Sequence, residues 1–127
     1  MNHAILKGCS ILLVEDELLI AMDVTHELET AGASVIMTGD LQEAQLLAEC
    51  TKLSGAILDH GLGDGNSALL RMRLSKRGVP FLNYSAHAAA EDGSDGSVHV
   101  SKPAAKGLLS AALAALLDVH ARAALKS

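Results

Sequence analysis

The stretch GAILDHGLGDGNSALLRMRLSKR, residues 55–77, shows most clearly the strand–loop–helix order that decides the fold of this chain. It begins with a continuous apolar run, GAILD at 55–59, passes through a loop rich in Gly and Asp, and ends in a segment of helical periodicity at 67–77. A short apolar run without alternation is typical of a strand that is covered on both faces. The pattern therefore places the carboxylate of Asp59 at the end of a buried strand, directly before a loop whose glycines tolerate unusual backbone dihedrals.

The same alternation of strand and helix runs through the rest of the chain. Further apolar runs of strand length are SILLVE (10–15), ASVIMT (33–38), VPFLNYS (79–85) and SVHVS (97–101). Helix-period segments lie at 17–31 and after Asp40, an expected N-cap with Glu43 at capping-box spacing. A Leu/Ala-rich helix is expected from about Ala104 to Leu125. Because such alternation produces crossover connections, the chain predicts a doubly wound α/β domain with a five-stranded parallel sheet.

The connection between the fourth and fifth strands, AHAAAEDGSDG at 86–96, breaks this rhythm. Only its run of alanines favours a helix, and the Gly and Asp residues that follow oppose one. The fourth helix of the fold is therefore predicted to be short or disordered.

Length and composition narrow the class of protein. The 127 residues favour a single domain, 1–127, and no linker or repeat indicates an attached output domain. The net charge of −5, without a basic cluster, argues against a nucleic-acid partner. The apolar run before Lys7 is too short for a signal peptide or a membrane span. We expect a cytoplasmic protein in which Cys9 and Cys50 are reduced thiols.

Polar side chains stand at the carboxyl ends of four predicted strands, where doubly wound sheets bind their ligands. The first strand ends in Glu15 and Asp16, the third in Asp59, the fourth in Ser85 and the fifth in Lys102. Crowded carboxylates raise one another's pKa unless a cation joins them, and Mg²⁺ is the usual partner of carboxylates, phosphate and water. The pattern predicts a nucleophilic Asp59 that attacks a phosphoryl group while the cation and the amine absorb the charge.

At these residues the sequence resembles the receiver domain of two-component response regulators. The matching pieces are ILLVEDE (11–17), AILDHGLGDG (56–65), Ser85 with Ala86, and VSKP (100–103). The resemblance covers nearly the whole chain and implies a flavodoxin-like, CheY-like sheet with strand order 2-1-3-4-5. It also implies that Mg²⁺ is the cofactor.

The resemblance implies a role for each residue of the site. Asp59 is the expected phosphoacceptor and a metal ligand. Asp16 is the expected direct ligand of Mg²⁺, Glu15 acts through a metal-bound water, and the backbone carbonyl of Gly61 is a further ligand. The resemblance also implies that Ser85 and Lys102 contact the phosphoryl group.

Two features depart from the usual receiver pattern. Receivers commonly place an aromatic switch residue three positions before the lysine, and this chain has His99 there, so Ser85 and His99 are the expected switch pair. VPFLNYSAH (79–87) resembles a loose version of the Pro-Phe-x-Phe-Ala-Thr-Gly-Tyr motif of a receiver subgroup with an irregular fourth helix. Asn83, Tyr84 and His87 depart from that motif.

The functional hypothesis is a stand-alone receiver that takes a phosphoryl group from a sensor histidine kinase or a phosphotransfer protein. It is not a conventional enzyme, although self-phosphorylation from a small phosphodonor and slow autodephosphorylation are expected. Output is expected through contacts with another protein, and the wide apolar arc at 108–117 suits a homodimer through the C-terminal helix.

Other functions are open at this point. A pseudo-receiver would keep the fold and regulate a partner without phosphorylation. A flavodoxin-like cofactor binder is disfavoured because no Ser/Thr/Gly phosphate loop follows the first strand. A transition-metal site at His60, His87 and His99 is disfavoured because their spacing fits no standard motif.

Overall fold

A computed structural model describes residues 4–59, 67–85 and 98–126 and contains a five-stranded parallel sheet. The strands are β1 (Ser10–Val14), β2 (Ser34–Thr38), β3 (Gly55–Asp59), β4 (Phe81–Ser85) and β5 (Val98–Ser101). Their order across the sheet is β2-β1-β3-β4-β5, and every neighbouring pair is parallel. The predicted fold class and strand order are confirmed.

Helices cover both faces of the sheet, which explains why the central strands β1 and β3 consist of continuous apolar runs. The helices are α1 (Leu18–Thr30), α2 (Leu41–Cys50), α3 (Ser67–Lys76) and α4 (Leu108–Lys126). Buried residues of α1 and α4 pack with Leu13 and Ile57 in one core, whereas α2 and α3 pack with Leu12 and Leu58 in the other. Successive residues of β1 and β3 thus point into opposite cores, so neither strand can alternate with polar residues.

The predicted helix boundaries are confirmed where a glycine or an N-cap residue determines them. Gly32, with φ of 101°, follows α1, and Gly78, with φ of 71°, follows α3. The Asp40 side chain accepts hydrogen bonds from the N–H groups of Gln42 and Glu43 and caps α2, as the sequence predicts.

The capping box at the start of α2 is only half formed. The Glu43 carboxylate accepts a hydrogen bond from the hydroxyl of Thr38 instead of turning back to the N–H of Asp40. That N–H donates to Thr38 Oγ1 at 3.2 Å. The buried hydroxyl of Thr38 therefore stands between the two groups that a capping box would join directly.

The predicted start of the C-terminal helix is wrong by four residues, because α4 begins at Leu108 and not at Ala104. The N–H of Ala104 donates to the hydroxyl of Tyr84 on β4, and Gly107 adopts a left-handed φ of 84°. Residues 102–107 therefore form a connecting loop, called here the β5–α4 loop, whose Lys102–Pro103 peptide bond is cis.

Some predictions fall on parts of the chain that lie outside the described residues. These are the short or disordered fourth helix, at 86–97, and the glycine-rich loop at 60–66. None of the helices within the described ranges combines the length and the apolar character that crossing a membrane requires.

Candidate functional site

The register of the sheet brings the predicted site residues to one edge. Val14 of β1 pairs with Leu58 of β3, so Glu15 and Asp59 follow at the same level on neighbouring strands. Asp59 in turn pairs with Tyr84, and Ser85 is the next residue of β4. The N–H of Lys102 donates to the carbonyl of Ser85 at 2.9 Å, which extends the β4–β5 ladder up to the site.

An acidic cluster lies at this edge of the sheet. One carboxylate oxygen from each of Glu15, Asp16 and Asp59 lies within 4.8 Å of the other two. Glu15 and Asp59 are 3% and 6% exposed, whereas Asp16 is open to solvent. Among the residues that the structure describes, this is the one group of acidic, His or Cys side chains able to hold a metal ion.

Lys102 places its ammonium group between the two buried carboxylates. Its Nζ donates to Glu15 Oε1 at 2.8 Å and to Asp59 Oδ1 at 3.0 Å. The other oxygen of Glu15 accepts the N–H of Glu17 at 3.1 Å. Burial of two like charges is costly unless they are paired, and the amine supplies that pairing.

Burial and the Glu15–Lys102 ion pair have opposite effects on the pKa values of Glu15 and Lys102. Burial raises the pKa of Glu15 above its ordinary value of 4.5, and Asp59 adds to the rise, while Lys102 and the Glu17 N–H oppose it. Burial alone would lower the pKa of Lys102, but its bonds to Glu15 and Asp59 outweigh burial and hold the pKa above 10.5. Lys102 therefore stays charged at neutral pH and compensates the neighbouring carboxylates.

The two residues of the expected switch lie on the same pair of strands. Ser85 is buried at the end of β4, where its register partner is Ser101. His99 is half-buried two residues before Ser101 and pairs with Asn83. Side chains two residues apart on a strand share a face. Ser85 and His99 therefore lie on the same face of the sheet, and His99 is two residues along β5 from Ser101, the register partner of Ser85.

Tyr84 contacts the lysine of the site, a contact that the sequence interpretation did not anticipate. Its ring centroid lies 5.5 Å from Lys102 Nζ, within the range of a cation–π interaction. Its hydroxyl also accepts the N–H of Ala104 at 3.0 Å. The signal was present in the sequence, because Tyr84 stands where the subgroup motif has Ala.

The donor set at this edge suits Mg²⁺. Carboxylate oxygens are the side-chain ligands that this hard cation prefers, and the exposed Asp16 leaves an open side for water or phosphate. The ammonium group of Lys102 neutralises only part of the charge of Glu15 and Asp59, so the cluster, which includes the exposed Asp16, keeps a net negative charge. Gly61, the expected carbonyl ligand, lies outside the described residues, as do His60 and His87.

The chain is similar to solved structures of receiver domains. The receiver domain of sensor histidine kinase PA1611 from Pseudomonas aeruginosa PAO1, with a magnesium ion coordinated in the active site cleft, is 26% identical. Its TM-score is 0.75, over 87% of this chain and 98% of that chain. A response regulator receiver protein from Burkholderia phymatum is 19% identical, with a TM-score of 0.78 over 87% of this chain and 96% of that chain.

The response regulator PhyR from Brucella abortus is 23% identical, with a TM-score of 0.83 over 97% of this chain and 54% of that chain. No protein-family model matches the chain, and no curated protein matches it. The similarity therefore lies in the three-dimensional structure: the chain has the fold of response regulator receiver domains, with the CheY-like strand order.

Proposed function

We propose that this protein is a receiver that accepts a phosphoryl group on Asp59 from the phosphohistidine of a sensor kinase or a phosphotransfer protein. The observation that supports it most is the setting of Asp59. Its carboxylate ends a central strand, lies within 4.8 Å of the carboxylates of Glu15 and Asp16, and is bonded to Lys102 at 3.0 Å. A carboxylate flanked by cation ligands and a fixed amine is suited to nucleophilic attack on phosphorus.

The proposed transfer is a substitution at phosphorus. A carboxylate oxygen of Asp59 forms the new P–O bond while the P–N bond of the phosphohistidine breaks, and its electron pair returns to the imidazole nitrogen. Asp16 and Asp59 would hold Mg²⁺ directly, with Glu15 through water and the Gly61 carbonyl as the resemblance implies. When bound, the cation neutralises charge on the phosphoryl oxygens. The magnesium ion of the PA1611 receiver supports this assignment.

Lys102 and Ser85 are proposed to bind the phosphoryl oxygens after Asp59 is phosphorylated. Lys102 already touches an Asp59 oxygen, so its ammonium needs only a short shift to bond a phosphoryl oxygen. Ser85 offers a hydroxyl at the end of the neighbouring strand. Movement of Lys102 and Ser85 is the proposed origin of a two-state surface change, and His99 lies on the same face of the sheet as Ser85.

Output is proposed to run through protein contacts. In α4, the residues Leu109 and Leu113 are buried against the sheet, so much of the apolar stretch predicted as a dimer contact belongs to the core. Leu108, Val119 and Leu125 are large apolar side chains of α4 that are exposed, and a homodimer through α4 would use Leu108 and Val119. Sedimentation of the wild type and of Val119→Lys tests this contact. A dimer that Val119→Lys dissociates supports it, and a monomeric wild type with and without phosphorylation contradicts it.

Intact mass after incubation with acetyl phosphate and Mg²⁺ tests the proposed function. We expect the wild type to gain one phosphoryl group, Asp59→Asn to gain none, and the matched control Asp118→Asn, an exposed acid on α4, to behave as the wild type. Omission of Mg²⁺ should remove the gain. If the wild type gains nothing from acetyl phosphate or from any histidine kinase, the pseudo-receiver alternative replaces the proposal.

A further inference from the structure

Tyr84 is a large aromatic residue in a position next to the phosphorylation machinery. It is the penultimate residue of β4 and pairs with Asp59 of β3 on one side and with Val100 of β5 on the other. Only 7% of it is exposed, and it packs in the core between the sheet, α1 and α4. Its ring and hydroxyl therefore extend from β4 toward the β5–α4 loop.

The first residues of the β5–α4 loop need such support because the turns that lead into α4 begin only at Ala105, whose carbonyl accepts the N–H of Leu108 at 2.9 Å. The N–H of Lys102 is held by the carbonyl of Ser85, at 2.9 Å. Two residues on, the N–H of Ala104 is held by the hydroxyl of Tyr84, at 3.0 Å. Consecutive residues of β4 thus fix the backbone on both sides of Lys102 and Pro103.

The ring of Tyr84 also acts on the side chain of Lys102. A lysine side chain has a flexible four-carbon stem, and holding its head in one place costs conformational entropy. The ring face lies 5.5 Å from Nζ and favours the position from which the ammonium reaches Glu15 and Asp59. The two contacts of Tyr84 therefore restrict the same group, one through the backbone and the other through the side chain.

We propose that Tyr84 is a positioning residue that holds Lys102 in reach of Asp59, through its hydroxyl bond to the β5–α4 loop and through its ring. This inference rests on the proposed function where it concerns phosphoryl transfer. The placement of the lysine can be measured without any phosphoryl donor. Tyr84→Phe removes the hydroxyl and keeps the ring, and Tyr84→Leu removes both. Phe81→Leu, on the same strand but against the opposite core, is the matched control.

The first readout is the NMR signal of the Lys102 ammonium group in the protein without Mg²⁺. In the wild type we expect a protected ¹H–¹⁵N signal, because Nζ is bonded to two buried carboxylates, and its loss in Lys102→Met assigns it. Tyr84→Leu should lose this protection, Tyr84→Phe should weaken it, and Phe81→Leu should retain it. An unchanged signal in Tyr84→Leu, with an unchanged fold, overturns the proposal.

The second readout is the rate at which acetyl phosphate labels the protein with Mg²⁺ present. Loss of one hydrogen bond predicts a rate about five-fold lower for Tyr84→Phe. Loss of the ring as well predicts a rate roughly thirty-fold lower for Tyr84→Leu. If labelling is absent even in the wild type while the ammonium signal still depends on Tyr84, the proposed function fails and the positioning role stands. If the wild type is labelled and both Tyr84 variants match it in rate, the positioning role fails alone.

Discussion

Replacement of Lys102 by Met leaves the two buried carboxylates without their cation, and the structure gives the size of the effect. The carboxylate oxygens lie within 4.8 Å of each other, and at an effective dielectric constant of about 20 two unit charges at that limit repel by roughly 3.5 kcal/mol. The protein can escape this repulsion by protonating Glu15. Protonation of a carboxyl group with the ordinary value of 4.5 costs about 3.4 kcal/mol at neutral pH, and this is an upper limit for Glu15 because burial raises its pKa. Both routes predict that the free energy of unfolding of Lys102→Met is lower by about 3 kcal/mol at pH 7.

The loss should depend on pH with a defined sign. The pKa of Glu15 is raised in the folded state, and removal of the ammonium raises it further, so the stability that protonated Glu15 contributes is lost as pH rises. The deficit of Lys102→Met should therefore shrink to below about 1 kcal/mol near pH 4.5. Mg²⁺ should stabilise the variant more than the wild type, because the cation replaces the missing positive charge.

Urea unfolding followed by circular dichroism, at acidic and neutral pH with and without Mg²⁺, measures these differences. Lys106→Met is the matched control, since Lys106 is an exposed lysine of the same loop and its replacement should cost less than about 0.5 kcal/mol. A Lys102→Met protein that is as stable as the wild type at neutral pH would refute the reasoning. A deficit that does not change with pH would also refute it, since that result points to lost packing and not to charge.

Three further variants probe the supports of the site and the fold. Gly39→Ala places a Cβ 3.2 Å from the backbone of Asp16, so calorimetric titration should show several-fold weaker Mg²⁺ binding; unchanged affinity contradicts this. Asp40→Ala removes the N-cap of α2 and should lower the free energy of unfolding by about 1 kcal/mol in urea, with acetyl phosphate labelling preserved; an unaltered midpoint counts against the cap. Glu27→Ala leaves the buried N–H of Ser110 at the start of α4 without its acceptor and should lower the free energy of unfolding by about 2 kcal/mol in the same assay; an unfolding midpoint equal to that of the wild type contradicts this.

The sheet and the meeting of the site residues could be predicted because both depend on local pattern and one topological rule. Each strand is a short, mainly apolar segment with polar residues at its end, and parallel strands bring their carboxyl ends to one edge. Asp59 and Lys102 are 43 positions apart in the chain, yet each directly follows or ends such a run and they meet at 3.0 Å. The order of the strands came from the family resemblance and not from the pattern.

The differences from the sequence predictions arise from hydrogen bonds to side-chain hydroxyls, one of them on a distant strand and the other only a few residues away. Ala104 belongs to a stretch of good helix formers, but its N–H is taken by the hydroxyl of Tyr84, so the helix starts later. Glu43 has the spacing of a capping box, but the hydroxyl of Thr38 on the neighbouring strand competes for it. Tyr84 lies 20 positions before Ala104, so local propensity does not indicate that contact, whereas Thr38 lies only five positions before Glu43 and the capping-box pattern does not take its hydroxyl into account.

The location of the phosphoryl group tests the central claim most directly. The protein is labelled with acetyl phosphate and Mg²⁺, the acyl phosphate is reduced with borohydride, and peptide mass spectrometry locates the residue that has become homoserine. We predict homoserine at position 59 alone, in the segment that begins with the buried strand Gly55–Asp59. Homoserine at Asp16 or at a surface acid, with an unmodified Asp59, would contradict the account.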